Sequence, residues 1–266
     1  MPVFILRRLA ALAITTTVML VSSLAFAQAG KPELLLYCGI TMVRPMTEIA
    51  SAFEKRENVK LAIAQGGSED LYQSAKKSGV GDWYLPGEPS YRDKHLAEGL
   101  FGEHAVIGYN QMAMVVQKGN PKQVKPDPRE MLRKDLVTVI GNAESGSVGQ
   151  EAKRILDELG IYPRAVKVAA FLASDSRSLM NAMRKGEADV TLSWRATGYF
   201  ADNAAKLDVI DLDRKLAKPQ ALLLIQLKST KYPDLAQRFL SFAAGEEGQS
   251  IFRKHGFLDN KITPGK

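Results

Sequence analysis

Short apolar runs alternate with helical patterns along most of this chain, and this alternation limits the fold more than any other feature of the sequence. Apolar runs of about four to eight residues have the length of buried strands, whereas apolar residues that recur every three or four positions mark one face of a helix. A strand-helix-strand rhythm is typical of a mostly parallel sheet with helices on both faces. The sequence therefore predicts an α/β protein.

The alternation falls into two units. The first has predicted strands at 34–38, 59–64 and 83–85 and predicted helices at 42–55, 69–78 and 90–98. The second has predicted strands at 136–140, 166–171 and 189–193 and predicted helices at 148–159 and 178–185. An extended apolar segment, 105–119, connects the units, and a late strand, 222–227, precedes helices at 233–244 and 246–255.

Two units, a crossing segment and a late return strand predict two lobes with a ligand cleft between them. We expect lobe 1 to comprise residues 28–108 and 220–266, and lobe 2 to comprise residues 109–219.

Residues 1–27 have the features of an export signal. Arg7 and Arg8 precede an apolar segment that ends on Ala25-Phe26-Ala27, a sequence of the small-x-small kind that a signal peptidase cleaves. Three threonines and two serines interrupt the apolar segment, which favours a cleaved signal over a permanent membrane span. The sequence predicts a periplasmic protein that is cleaved near Ala27.

Removal of the predicted signal leaves 239 residues with a formal net charge of +5, which is long enough for two lobes with substantial cores. This modest basic excess is compatible with an anionic ligand. Lysines and arginines are interspersed with acidic residues, without the aromatic and basic interleaving that binds single-stranded nucleic acid. We therefore expect no binding of nucleic acid. We also expect a monomer.

Cysteine and histidine content argues against a cofactor or a catalytic centre. The single cysteine, Cys38, excludes an intramolecular disulfide, so stability must come from the core. His95, His104 and His255 are dispersed, without metal-ligand spacing. The sequence also has no G-x-S-x-G motif. We expect no metal, no cofactor and no enzymatic activity.

Five junctions between a predicted strand and a predicted helix are rich in small and hydroxyl-bearing residues. They are 39–41, 65–68, 141–149, 174–177 and 193–195. Ligands of open α/β sheets gather at such junctions, where helix N-termini present N–H groups and a positive dipole end. The third junction has Ser147 where a phosphate-binding P-loop requires lysine, which argues against a nucleotide. Ordinary helix caps and tight turns also explain these residues.

Several segments carry the motifs of one known family. They are 37–42 and 48–53, then 66–71 and 81–88, then 141–156 and 252–257. In 66–71 a glycine pair precedes serine and leucine, and 252–257 reads F-x-x-H-G-F. With these motifs the chain resembles the periplasmic molybdate-binding proteins of ABC importers, which are type II periplasmic binding proteins.

The resemblance implies a two-lobed type II fold in which each lobe is a mostly parallel sheet flanked by helices. It also implies that the protein delivers an oxyanion, such as molybdate or tungstate, to the membrane permease of an ABC importer. By position, the anion-binding residues of the family correspond to Thr41, Ser68, Ser147, Val148, Ser176 and Trp194, with Gly39 and Gly67 beside them.

The chain departs from the family pattern in ways that leave the ligand open. Trp194 replaces a tyrosine, so an indole N–H stands in place of a hydroxyl. Arg44, Arg177 and Arg195 lie beside the ligand junctions, whereas the family holds its anion mainly with neutral donors. The alternatives are a different anion or organic solute bound through arginines, solvated surface arginines, or an exported protein without a transport role. Whether the arginines enter the cleft distinguishes the first two.

Overall fold

A computed structural model describes residues 30–258. The predicted export signal, with its cleavage near Ala27, lies outside the described residues. Between residues 30 and 258, no helix is both long enough and apolar enough to cross a bilayer.

The strands are β1 (Glu33–Gly39), β2 (Lys60–Gly66), β3 (Trp83–Leu85), β4 (Phe101–Asn110), β5 (Met112–Gln117), β6 (Thr138–Gly141), β7 (Phe171–Ala173), β8 (Val190–Trp194), β9 (Leu207–Asp211) and β10 (Gln220–Leu227). The helices are α1 (Val43–Glu57), α2 (Ser68–Ser78), α3 (Ser90–His95), α4 (Ser147–Glu158), α5 (Tyr162–Val168), α6 (Ser176–Arg184), α7 (Arg195–Tyr199), α8 (Ala201–Ala204), α9 (Pro233–Ala244) and α10 (Glu246–Lys254). Short 3-10 helices lie at Ile40–Met42, Leu96–Glu98 and Pro128–Leu132.

The described strands form two sheets with the same arrangement. Sheet 1 has the order β2-β1-β3-β10-β4, and sheet 2 has the order β7-β6-β8-β5-β9. In sheet 1, β1 pairs in parallel with β2 and β3, whereas β10 runs antiparallel to β3 and β4. In sheet 2, β6 pairs in parallel with β7 and β8, whereas β5 runs antiparallel to β8 and β9. Each sheet thus has a single reversed strand.

The chain crosses from sheet 1 to sheet 2 between β4 and β5, and it returns between β9 and β10. We propose the lobe boundaries that the sequence predicts, 28–108 with 220–266 and 109–219, with sheet 1 in lobe 1 and sheet 2 in lobe 2. The strand β4 runs past the proposed boundary, to Asn110.

The predicted extended segment 105–119 is two strands rather than one. Gln111 separates β4 from β5, and its backbone N–H donates to Asn110 Oδ1 at 3.0 Å. The Asn110 Oδ1 atom also accepts from the Ala196 N–H at 3.3 Å. The change of sheet falls at the polar pair Asn110-Gln111, between the partly buried strand β4 and the buried strand β5.

The predicted strand 166–171 is wrong in its first part. Residues Tyr162–Val168 form the helix α5, and the strand β7 begins only at Phe171. Two valines in this run favour a strand, but Pro163 in the first turn provides a helix start with its fixed φ. The strand β9 and the short helices α7 and α8 are further elements that the sequence reading missed.

Three aromatic rings form the centre of the core beneath sheet 1. Phe239 of α9 is fully buried, and its ring centre lies 4.9 Å from that of Phe53 and 4.5 Å from that of Trp83. The Trp83 indole N–H donates to the Ala236 carbonyl at 3.2 Å, which satisfies its one polar group. These contacts hold α1 and α9 against β3.

Replacing Phe239 by alanine should lower the free energy of unfolding by about 3–5 kcal/mol, because a buried cavity would replace the ring. Urea denaturation followed by circular dichroism measures the change. Phe171→Ala is the matched control, since that ring is 41% exposed and its loss should cost much less. Equal losses from the two variants would contradict the prediction.

Candidate functional site

The N-termini of three helices, drawn from both sheets, meet at one point. Helix α2 begins at Ser68 after β2, α4 begins at Ser147 after β6, and α6 begins at Ser176 after β7. Together they line a cavity of about 10 Å³. The other lining residues are Gly39, Ile40, Thr41, Met42, Gly66, Gly67, Gly87, Gly146, Val148 and Asp175. Helix N-termini carry partial positive charge, so the cavity favours a negatively charged group.

Glycine precedes two of these helices. Gly67 is the N-cap residue of α2, and Gly146 is the N-cap residue of α4. Because glycine has no side chain, it leaves the first-turn N–H groups without the oxygen that a serine or aspartate cap would supply. Helix α6 differs, since Asp175 Oδ1 accepts from the Ser178 N–H at 2.8 Å. The amides of α2 and α4 are therefore the better donors for a ligand.

Four buried hydroxyls, which we call the hydroxyl ring, surround this cavity: Thr41, Ser68, Ser147 and Ser176. Thr41 Oγ1 donates to Ser176 Oγ at 3.2 Å and so joins the sheet 1 side of the cleft to the sheet 2 side. Ser68 Oγ accepts from the Gly87 N–H at 3.0 Å.

In this conformation the ring has space for about one water molecule.

Seven of the residues predicted from the sequence lie together around this cavity. They are Gly39, Thr41, Gly67, Ser68, Ser147, Val148 and Ser176. Trp194 lies behind them in the core of sheet 2, where its indole N–H donates to Ser147 Oγ at 3.3 Å. The indole thus contacts the ring through Ser147.

Arg195 does not line this cavity. Its guanidinium is buried against Asp211 at 2.8 Å and donates to the Tyr199 hydroxyl at 3.0 Å. A further, longer hydrogen bond of 3.4 Å reaches the Gly256 carbonyl. Arg195 therefore holds α7 to β9 and to Gly256, which follows α10.

A larger cavity of about 410 Å³ adjoins the hydroxyl ring, and we call it the arginine cavity. Ile40, Thr41 and Ser176 line both cavities, which therefore adjoin each other. Arg44 and Arg177 line the arginine cavity, as does Arg184, which the sequence reading missed. Arg184 lies two helical turns after Arg177 on α6, and this seven-residue spacing places both on one helix face.

The arginine cavity carries excess positive charge. Asp202 pairs with Arg44 at 2.8 Å and also with Arg184. The Arg44 guanidinium lies 4.6 Å from the centre of the Phe200 ring, which fixes it as a cation–π pair. Arg177 Nη2 donates to Gln65 Oε1 at 2.7 Å across the cleft. The lining thus contains three arginines against one carboxylate.

Glu88 is a buried acid close to the ring. The pKa of its carboxyl is raised, mainly because of burial and also because of the charge of Glu151. A hydrogen bond of 2.6 Å from the Ser90 hydroxyl lowers this pKa but does not cancel the effect of burial. Arg154, which pairs with Glu151 at 2.7 Å, has a smaller opposite effect. Glu88 follows β3 of sheet 1 and Glu151 lies on α4, so the two carboxylates repel each other across the cleft.

Residues 34–258 match the family model of the bacterial extracellular solute-binding proteins. The chain belongs to this family. A curated relative, a putative binding protein of Haemophilus influenzae, is 22% identical to this solute-binding protein over 230 residues, which cover 86% of this chain and 92% of the relative.

Solved structures show the same fold. The substrate-binding domain of a putative molybdenum ABC transporter from Clostridium difficile has a TM-score of 0.66 at 22% identity, covering 86% of this chain and 99% of that one. The sulfate-binding protein SubI from Mycobacterium tuberculosis has a TM-score of 0.77 at 14% identity, covering 87% and 88%. The predicted two-lobed, type II periplasmic binding protein fold is therefore confirmed for this solute-binding protein.

Gly67→Ala should hinder closure of the cleft, because a Cβ at this position would lie 2.6 Å from the Ser145 carbonyl oxygen on the opposite side. Small-angle X-ray scattering should show a larger radius of gyration for this variant than for the wild type. Gly66→Ala is the matched control, since its Cβ would meet Leu71 at an ordinary 3.5 Å. Identical scattering from all three proteins would disprove the prediction.

Glu88→Gln should raise the melting temperature at pH 7, because the amide keeps the Ser90 hydrogen bond and removes a buried charge. The raised pKa of Glu88 means that its destabilising effect develops as the pH rises above the ordinary value of 4.5. The difference between variant and wild type should therefore vanish below about pH 4.5, where both states hold the proton. A difference that is independent of pH would contradict this account.

Proposed function

We propose that this solute-binding protein acts in the periplasm as a monomer, binds a tetrahedral oxyanion in the hydroxyl ring and delivers it to the permease of an ABC importer. Molybdate and tungstate are the inorganic anions that we propose first. The observation that carries the proposal is the convergence of four buried hydroxyls and three helix N-termini on one cavity. Hydrogen bonds from such donors to an ionised acceptor are short and strong.

The two sides of the cleft supply donors in equal number. Thr41 and Ser68 belong to the sheet 1 side, whereas Ser147 and Ser176 belong to the sheet 2 side. An anion can be bound by all four hydroxyls only when the cleft is closed, so binding would favour the closed conformation. The closed form would then present one continuous surface to the permease.

Two of the similar proteins support an oxyanion as the ligand. The Clostridium difficile protein is described as part of a putative molybdenum transporter, and the Mycobacterium tuberculosis protein is described as sulfate-binding. Molybdate and sulfate are both tetrahedral dianions, and the hydroxyl ring offers neutral donors on several sides of one point.

Ser68→Ala should weaken molybdate binding by about 10- to 150-fold, since one hydrogen bond to a charged group contributes about 1.5–3 kcal/mol. Isothermal titration calorimetry measures the affinity. Ser74→Ala, on the same helix, is the matched control, because its exposed hydroxyl donates to the Asp70 carbonyl. Unchanged affinity in Ser68→Ala would remove Ser68 from the site.

A further inference from the structure

We infer that Trp194 is a positioning residue of the hydroxyl ring, whose indole N–H holds the Ser147 hydroxyl with its proton directed into the cavity. Trp194 acts on the ligand through Ser147 and does not itself line the cavity. This inference rests on the function proposed for the ring, and it adds a residue to the machinery that binds the anion.

The backbone and the side chain of Trp194 are both fixed. Trp194 is the last residue of β8, where it pairs with Met112 of β5. Its carbonyl accepts from Thr197 Oγ1 at 2.6 Å. The side chain is 1% exposed and belongs to the hydrophobic core of sheet 2. Because close packing restricts this ring, the indole N–H stays at one point and can orient a partner without a further loss of conformational entropy.

The hydrogen bond between Trp194 and Ser147 has only one possible direction. An indole N–H donates and cannot accept, whereas a hydroxyl has one proton and two lone pairs. The Trp194 N–H therefore occupies a lone pair of Ser147 Oγ, at 3.3 Å, and the Ser147 proton points elsewhere. Between residues 30 and 258, Ser147 Oγ donates no hydrogen bond. Because Ser147 lines the cavity, its unused proton is available to an acceptor there.

Ser68, on the opposite side of the cleft, has the same arrangement. Its Oγ accepts from the Gly87 N–H at 3.0 Å, and a backbone N–H is also a donor only. Within the described part of the chain, the Ser68 hydroxyl likewise donates no hydrogen bond. Ser68 and Ser147 are both buried. Buried hydroxyl protons without acceptors carry a free-energy cost, which an oxyanion between the two serines would remove.

The other two hydroxyls of the ring orient each other. Thr41 Oγ1 donates to Ser176 Oγ at 3.2 Å, so neither depends on an N–H group outside the ring in this conformation. The orientation of Ser68 and Ser147 depends on such a group. Of these two N–H groups, that of Gly87 belongs to the backbone, whereas that of Trp194 belongs to a side chain that a substitution can replace.

The test is a double-mutant cycle, with molybdate, tungstate and sulfate as probes and calorimetry on the purified protein as the measurement. Trp194→Phe removes the indole N–H and keeps an aromatic ring. It should weaken binding of the anion about three- to tenfold, as expected for one neutral hydrogen bond. In the Ser147→Ala background, Trp194→Phe should change the affinity by less than about twofold, because the hydroxyl that it orients is gone.

Trp83→Phe is the matched control. The chain has two tryptophans, and both are almost fully buried. The Trp83 N–H donates to the Ala236 carbonyl at 3.2 Å, in the core beneath sheet 1, so the same substitution removes a similar hydrogen bond away from the ring. Trp83→Phe should lower the melting temperature but leave the affinity for the anion unchanged. This comparison separates the positioning of Ser147 from a general loss of stability.

A second variant keeps the packing of the indole, and it gives a result even where Trp194→Phe does not fold. In the Trp83→Phe background, a tryptophan auxotroph can incorporate 3-benzothienylalanine at position 194. This residue has the shape of tryptophan but carries sulfur in place of the N–H group. It should lower the affinity by the same factor of about three to ten, relative to Trp83→Phe alone.

Three results would overturn the inference. If both changes at position 194 leave the affinity at that of Trp83→Phe while Ser68→Ala weakens binding, the oxyanion function stands and Trp194 does not position Ser147. If Trp194→Phe weakens binding equally with and without the Ser147 hydroxyl, Trp194 does not act through Ser147. If the wild type binds none of the three anions, the inference and the proposed function both fail.

Discussion

Close contact between backbone and hydroxyl groups across the cleft is the constraint on which the site depends. The hydrogen bond from Thr41 to Ser176 spans the cleft, and Gly67 approaches the Ser145 carbonyl so closely that a Cβ would not fit. Gly87 approaches Ser147 in the same way. Larger residues at these glycines would hold the helix N-termini apart. The electrostatic character of the ring therefore depends on residues that carry no charge and no side chain.

The shared arrangement of the two sheets explains why helix N-termini meet there. In each sheet three parallel strands lie side by side, and the chain leaves such strands into helices at their carboxyl ends. When two such sheets face each other, the helices that follow β2, β6 and β7 point their positive ends at one place. The topology thus brings helix N-termini, which favour negatively charged groups, to one place, and serines and glycines lie at the junctions there.

Charge is divided between the two cavities. The hydroxyl ring has neutral hydroxyl groups in its lining. The arginine cavity has three arginines against one carboxylate, together with several apolar residues. Glu88 is a buried acid that follows the ring residue Gly87, and burial raises the pKa of its carboxyl.

The local sequence determined the α/β class and most element positions, whereas the grouping of Thr41, Ser68, Ser147 and Ser176 around one cavity was implied by the family resemblance. Strand and helix periods, together with small residues at junctions, are short-range signals that a sequence carries directly. Only the tertiary structure determined which partners the arginine side chains contact. Arg195 is turned into an ion pair with Asp211, whereas Arg44 and Arg184 meet at Asp202 and Arg177 reaches Gln65. The direction of a long side chain depends on partners from distant elements, and those partners are set only when the two sheets pack.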